Sequence, residues 1–308
     1  MENVWDVVII GAGPAGLTAA IYSCRKLLKT LVISLDIGGL INLTEDMENY
    51  PGYYPEKSGS KLAQIMYQQA LNFGAKFEIG EVIKIEKDKE LFKVILSDGR
   101  IFLAKAIIVA CGSKPRKLNV PNEDKLIGRG VSYCATCDAP LFRNKIVAVV
   151  GGGNSALEAA LLLANYASKI YLIHRRDSFR ADEITVKKVK ENSKIELVLN
   201  SIVTEIIGEK KVEKIKIKNL ITNEEKFLDV NGIFIEIGYE PKIDFVKDLV
   251  KVNERNEIIV DLDMKTSCEG IFAAGDVTNI KHKQAIIAAG TGAIAALSAY
   301  DYIIKKFK

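Results

Sequence analysis

Apolar residues in this chain gather into short β-branched runs that give way first to glycine and then to a helical stretch, and this syntax occurs twice. The first run, Asp6–Ile10, leads into Gly11-Ala12-Gly13-Pro14-Ala15-Gly16 and the helical segment Leu17–Arg25, after which a strand over Thr30–Leu35 ends at Asp36. The second run, Ile146–Val150, leads into Gly151-Gly152-Gly153-Asn154-Ser155-Ala156 and the apolar helix Leu157–Tyr166, and its next strand, Lys169–Ile173, ends at His174. Between them lie alternating strands over Phe92–Leu96 and Ile101–Leu103 around the turn Ser97-Asp98-Gly99, then a continuous apolar run over Ala106–Ala110. These read as a small β element inserted in the first unit.

Strand and helix alternation of this kind predicts an α/β fold with two Rossmann-like, three-layer dinucleotide-binding domains. Gly112–Arg116 with Pro121–Asp124, and Gly238–Lys242, have linker composition. The segments beyond the second linker (Glu257–Val260, Gly270–Ala274 and a helix from Gln284) are too short for a third domain and are expected to complete the first sheet. The first domain is therefore expected to be discontinuous, residues 1–115 and 246–308, with residues 116–245 inserted, and the linkers to act as hinges.

Composition narrows the class without choosing the chemistry. A length of 308 residues suits two domains, and 48% hydrophobic with 27% charged residues is ordinary for a globular chain. The net charge of +4 comes from 43 basic and 39 acidic residues, and the Lys-rich stretch Lys187–Lys226 interleaves Glu, which reads as a solvated surface rather than a nucleic-acid footprint. Met1-Glu2-Asn3 lacks the basic start of a secretory signal, and the uncharged run Gln284–Ala299 is too rich in Gly and Ala for a membrane span and reads as a buried helix. Five scattered cysteines do not form a secreted disulfide framework, so a reducing cytoplasm is expected.

The chemistry lies in the turns. Gly11 permits the tight reversal, Gly13 the approach of backbone to a pyrophosphate, and Gly16 the close packing of helix on strand, with Pro14 and Ala15 between them. Asp36 stands where a ribose-binding acid belongs, although a plain turn residue reads the same way. The second unit presents His174-Arg175-Arg176 and Arg180 at that place; guanidinium forks suit a phosphate monoester and favour NADP(H) over a merely solvated basic turn. Cys134-Ala135-Thr136-Cys137 is spaced to close a small disulfide. A zinc half-site is the poorer reading because no second such pair exists, and two structural thiols remain an alternative. Asp138 follows at once, where an acid can move the proton that thiol exchange requires; a helix N-cap is the plainer reading and does not exclude that role. Gly270–Val277 reads as a buried strand ending in a Gly275-Asp276 turn whose acid suits a ribityl hydroxyl, and Gln284-Ala285 opens a helix whose N-terminus suits a reduced flavin. A core helix without any ligand looks the same.

Taken in order, G-A-G-P-A-G, C-A-T-C-D, G-G-G-N-S-A, H-R-R-x-x-x-R, A-A-G-D-V and K-Q-A-x-x-A-A-G-x-G resemble low-molecular-weight thioredoxin reductases, of the class II pyridine nucleotide-disulfide oxidoreductases, over essentially the whole chain. The resemblance implies FAD on the first domain, NADPH on the inserted one, and a homodimer free of nucleic acid and membrane. It implies reduction of the Cys134/Cys137 pair through FAD, with Cys137 toward the flavin and Cys134 toward a thioredoxin or thioredoxin-like disulfide, and no metal. It places Gly11, Gly13, Pro14, Ala15, Gly16, Asp36, Gly39, Asn49, Val82, Ala110, Gly112, Gly275, Asp276, Lys283, Gln284 and Ala285 at FAD. At NADPH it places Gly151, Gly153, Asn154, Ser155, His174, Arg175, Arg176 and Arg180. The chain departs from the pattern at Leu40, Cys111 and Lys283, where Gln, Thr and Arg are usual. A flavin oxidase or ferredoxin-NADP reductase of the same fold needs no C-x-x-C, and a non-catalytic NADP(H)-sensing module is the rival from another class.

Overall fold

The computed structural model describes residues 4–43, 47 and 49–307, apart from the side chains of Leu43 and Cys137. The chain divides into two compact units, Met1–Lys114 with Glu240–Lys308, and Pro115–Tyr239. The second crossing falls before the residue-245/246 boundary drawn from the sequence. The reason is packing: Ile243, Val246 and Val250 are buried in the core of the first unit.

The first unit opens with β1 (Val4–Ala12), α1 (Pro14–Arg25) and β2 (Thr30–Ile37), followed by α2 (Gly59–Asn72), β3 (Lys76–Ile79), β4 (Val82–Asp88), β5 (Leu91–Leu96) and β6 (Ile101–Val109). The apolar run Ala106–Ala110 mostly continues β6 instead of forming a separate strand. The chain leaves through β7 (Lys114–Pro115). The second unit contains β8 (Val131–Ser132), α3 (Ala135–Asp138), β9 (Ile146–Val150), α4 (Asn154–Leu163), β10 (Lys169–Ile173), α5 (Glu183–Glu191), β11 (Ile195–Val198), β12 (Ser201–Ile207), β13 (Lys214–Asn219), β14 (Glu225–Asp229) and β15 (Gly232–Ile235). It ends at β16 (Tyr239–Glu240), after which β17 (Ile271–Ala273) and α6 (Ala285–Phe307) belong to the first unit.

In the first unit one seven-stranded sheet runs β3-β2-β1-β6-β5-β4, with β17 added on β6. The β1, β2, β3, β6 and β17 pairings are parallel, while β4, β5 and β6 form an antiparallel meander. Alternation along β1 separates two layers: Val7 and Ile9 pack with α1, α2 and α6, whereas Val8 and Ile10 pack with Phe92, Val94, Leu96 and the Ile243–Val250 segment. The expected strand at Glu257–Val260 is only a pair of isolated bridges at Ile258. Among the described residues α6 is the one helix long and apolar enough to cross a membrane, yet Ala288, Ala295, Ala296, Ala299 and Ile303 are buried in the core against α1.

The second unit has a five-stranded parallel sheet ordered β11-β10-β9-β15-β8. Val147, Val149, Leu172 and Phe234 face α4, and Ala148, Val150, Ile173, Ile233 and Ile235 face the three-stranded antiparallel sheet β12-β13-β14. That sheet corrects the view of Lys187–Lys226 as solvated surface alone. On β13, Lys214, Lys216 and Lys218 alternate with Ile215 and Ile217, which are buried together with Ile206 of β12. Glu123, buried to 2% exposure, lies beside the same core and accepts from the amides of Leu118 (2.9 Å), Asn119 (2.7 Å) and Val120 (3.3 Å) and from the Tyr133 hydroxyl (2.7 Å). A buried carboxylate is tolerable only with such a set of donors.

Two stability outcomes arise from this packing. A Cβ on Gly292 would fall on the Ala15 carbonyl, whereas one on Gly290 meets nothing within 4 Å. In denaturant titrations Gly292→Ala should cost about 1–3 kcal/mol by forcing α1 and α6 apart, and Gly290→Ala should be neutral or stabilise by up to about 1 kcal/mol. Glu123→Ala leaves three amides and a hydroxyl buried without their acceptor and should lower stability by about 3 kcal/mol; unchanged unfolding curves would contradict either assignment.

Candidate functional site

In the first unit, β1 passes into α1 through Gly11 at φ +104°, and a Cβ there would collide with the Ala110 backbone beside it. Gly16 lies so close beneath the turn that a Cβ would strike the Gly11 carbonyl. Pro14 occupies the first turn of α1, where its missing N–H leaves no bond unmade. Gly13 caps that helix with no side-chain acceptor and no acid in the first turn, so the free amides and the positive end of the helix dipole are left for a ligand.

Of the other residues expected at FAD, Gly39 and Ala110 lie against this turn, and the rest are set elsewhere in the unit. Gly39 lies over it, 3.5 Å from its ideal Cβ to the Gly13 Cα, and Gly38 N–H donates to the Ala12 carbonyl at 2.8 Å. Asp36 is exposed at the end of β2, where its carboxylate accepts from the Gly39 amide at 2.9 Å. Asn49 donates to Gln284 at 3.0 Å across 235 positions of sequence. Ala110 is buried and tied to β1 through the Ile10 carbonyl at 2.8 Å, and Gly112 adopts φ +66° in open space. Val82 is buried at the start of β4, in register with Leu96.

Gly275 approaches α1 from the other side, with φ +77°, its ideal Cβ 2.9 Å from the Ala15 Cβ and its amide on the Thr291 hydroxyl at 3.0 Å. Burial raises the Asp276 carboxyl above its ordinary range, opposed by the charge of Lys283. Lys283 is already engaged by the Asp276 carbonyl (3.2 Å), the Thr278 carbonyl (2.5 Å) and the Glu257 carboxylate (3.0 Å). Gln284 starts α6, with Ala285 as its first residue and the Ala288 amide on the Gln284 carbonyl at 2.8 Å. Leu40 is exposed and Cys111 half-buried; desolvation pushes the Cys111 thiol up to about 12, so it is unreactive at neutral pH.

The second unit repeats the construction between β9 and α4. Gly151 has φ +156°, a Cβ on Gly152 would enter the His174 ring, and Gly153 caps α4 with no side-chain acceptor and with open space above it. Ser155 is exposed in the first turn, and Asn154 bridges to Asp182 through its amide nitrogen (3.1 Å) and, via its oxygen, the Asp182 amide (2.7 Å). Arg180 N–H donates to the Gly152 carbonyl at 2.7 Å, which folds the arginine segment back over the turn. Arg175 and Arg180 are exposed and Arg176 is half-buried. His174 is 9% exposed, stacks on Phe179 with ring centroids 5.5 Å apart, and its Nε2 is buried without a hydrogen-bond partner. Burial first, and then the charges of Arg176, Arg175 and Arg180, lower its pKa and hold it neutral.

Cys134 is disulfide-bonded and half-buried, and Cys24, Cys111 and Cys268 are free thiols. The Cys137 backbone is helical, but its side chain lies outside the described residues. The Ser132 hydroxyl accepts from the Cys134 amide at 3.1 Å and donates to the Cys134 carbonyl at 3.2 Å, fixing the exit from β8. Asp138 closes α3, its amide on the Cys134 carbonyl at 3.2 Å, and its side chain makes no capping hydrogen bond. Glu236 follows β15 directly and is half-buried, and desolvation raises its carboxyl to about 7.

The profile of the pyridine nucleotide-disulphide oxidoreductase family matches residues 5–292. A thioredoxin reductase of Peptoclostridium acidaminophilum is 42% identical, with both chains fully covered, and one of Rickettsia conorii is 43% identical over 99% of this chain and all of that one. The crystal structure of Lactococcus lactis thioredoxin reductase superposes with a TM-score of 0.81 at 41% identity, covering 98% of this chain and 99% of that one. A component of the alkyl hydroperoxide reductase of Staphylococcus aureus is 41% identical, but this chain spans only 60% of its length. With two glycine turns, each opening an uncapped helix, and a disulfide-bonded cysteine beside the second, the chain belongs to the pyridine nucleotide-disulphide oxidoreductase family.

Proposed function

We propose that the protein is an NADPH-dependent thioredoxin-disulfide reductase: reducing equivalents pass from NADPH through FAD to the Cys134/Cys137 pair and on to the disulfide of thioredoxin or a thioredoxin-like protein. The observation that carries this reading is the disulfide-bonded Cys134 at the head of α3, beside the parallel sheet whose glycine turn and arginines suit NADPH. Full-length similarity to proteins named thioredoxin reductase supports the same substrate class. We extend the reading to a cytoplasmic homodimer, with residues 1–115 and 246–308 serving FAD and 116–245 serving NADPH.

Both cofactors fit the residues present. Gly13 and Gly39 leave backbone where a side chain would stand, α1 offers unclaimed amides to a pyrophosphate, and Asn49, Asp276 and Gln284 supply polar contacts for FAD. Unclaimed amides on α4, the partnerless His174 Nε2 and the three arginines suit NADPH and its 2′-phosphate. When bound, NADPH supplies a hydride, and FAD carries its electron pair to a disulfide.

The chain's own residues do the exchange. In the reduced pair the Cys134 thiolate attacks one sulfur of the partner disulfide, forming a mixed disulfide and releasing the first partner thiolate. The Cys137 thiolate then attacks the Cys134 sulfur, closing the Cys134–Cys137 disulfide and releasing the second partner thiolate. Asp138, directly after Cys137, would hold the proton that the leaving thiolates take up.

NADPH oxidation measured with and without thioredoxin tests the assignment. Cys134→Ser and Cys137→Ser should each retain anaerobic bleaching of the flavin by NADPH while losing disulfide turnover; full turnover by Cys134→Ser would make the pair structural and favour an oxidase. Steady-state kinetics test the arginines separately. Removing the charge-assisted bonds of one arginine costs about 1.5–3 kcal/mol, about ten- to hundredfold in affinity. Arg175→Ala with Arg180→Ala should therefore erode the preference for NADPH over NADH by at least that factor, and an unchanged ratio would exclude them from the 2′-phosphate site.

A further inference from the structure

Asp182 stands directly before α5, where an aspartate ordinarily caps a helix, yet its carboxylate makes no capping bond. It accepts instead from the side-chain amide of Asn154, 28 positions away at the head of α4, at 3.1 Å, and the Asp182 backbone amide donates to the Asn154 side-chain oxygen at 2.7 Å. Two residues earlier the Arg180 amide donates to the Gly152 carbonyl at 2.7 Å, and before it the Phe179 ring stacks on His174 and packs on the core of the second unit. The backbone on both sides of Arg180 is therefore pinned at the glycine turn. Spent on Asn154, the carboxylate nearest Arg180 in sequence is not paired with its guanidinium among the described residues.

We propose that Asp182, through Asn154, is a specificity-determining positioning residue for the nucleotide: the pair latches the arginine segment over the glycine turn and holds Arg180 where a 2′-phosphate is met. The inference rests on the reading of the arginines as the 2′-phosphate site and adds what keeps one of them in place. It also gives Asn154 a different part, since its side-chain oxygen and nitrogen both hold Asp182 and make it a strut of the segment. A long side chain on a free segment gives up backbone freedom as well as rotamer freedom when it binds. With the backbone already fixed, only the rotamer part remains. A dinucleotide that lacks the 2′-phosphate makes no use of Arg180, so the latch acts on the difference between the two nucleotides and not on the contacts they share at the head of α4.

Equilibrium binding of NADP+ and of NAD+ to the FAD-loaded protein, followed by titration calorimetry, tests the latch without turnover. Asp182→Ala should weaken NADP+ about three- to tenfold, the worth of one or two hydrogen bonds, and leave NAD+ within about twofold. Asp182→Asn keeps an oxygen for the Asn154 amide and its own backbone amide for the Asn154 oxygen. It should therefore retain the wild-type ratio of the two affinities or exceed it, because a negative charge near the phosphate is gone. A purely structural role would lower the thermal midpoint of Asp182→Ala and leave the ratio as in the wild type, and that result overturns the proposal. Tighter NADP+ binding by Asp182→Ala also overturns it, since the carboxylate would then be only a repelling charge. Should Asp182→Ala not fold, Asn154→Ala decides in its place by breaking the latch from the other side: a lowered ratio supports the latch, and an equal loss of both nucleotides makes Asn154 a shared ligand and overturns it. Arg180→Ala separates this result from the reading beneath it. An unchanged ratio there sinks the arginine assignment, whereas a lowered ratio in Arg180→Ala with an unchanged one in Asp182→Ala sinks the latch alone.

Discussion

In both units a parallel strand must reverse into a helix over three or four residues, and the reversal leaves no room for a side chain. Backbone fills the space in question: Ala110 and the Gly11 carbonyl around the first turn, the Glu236 carbonyl around Gly151 in the second. Once the turn is that tight, the first amides of α1 and α4 point outward with no cap to satisfy them. Those amides, which the backbone creates and no side chain contributes, are what each turn offers to a phosphate.

The polar groups that this chain buries are expensive unless they are bonded, and their bonds sit where the chemistry is. Glu123 gathers the amides of Leu118–Val120 and the Tyr133 hydroxyl one residue before Cys134. Ser132 completes the frame from within β8. A short helix such as α3 has little stability of its own, so the entry to the cysteine pair is held by the bonds of Glu123 and Ser132 before it.

Similarity to thioredoxin reductases at about 40% identity extends over the full chain, whereas the peroxide-reductase component exceeds it in length. The three departures from the reductase pattern are structurally mild. Leu40 is exposed, Cys111 is held as an unreactive thiol, and Lys283 has its ammonium taken up by two carbonyls and Glu257. None of them lies in the second unit, where the cysteine pair and the arginines are found.

Local patterns were enough to locate both glycine turns, the strands that feed them, the arginine segment and the cysteine pair, because each depends on residues within a few positions of one another. The strands Ile146–Val150 and Lys169–Ile173 were legible to the residue, since their apolar runs stop at glycine and at charge. The β12-β13-β14 sheet was hidden because its lysines outnumber the buried isoleucines that alternate with them. The pairing of Asn49 with Gln284 across 235 positions and the seating of Ile243–Val250 in the first core were decided only by the tertiary fold. Each joins segments far apart in the chain, and no local pattern encodes a contact that only packing brings about.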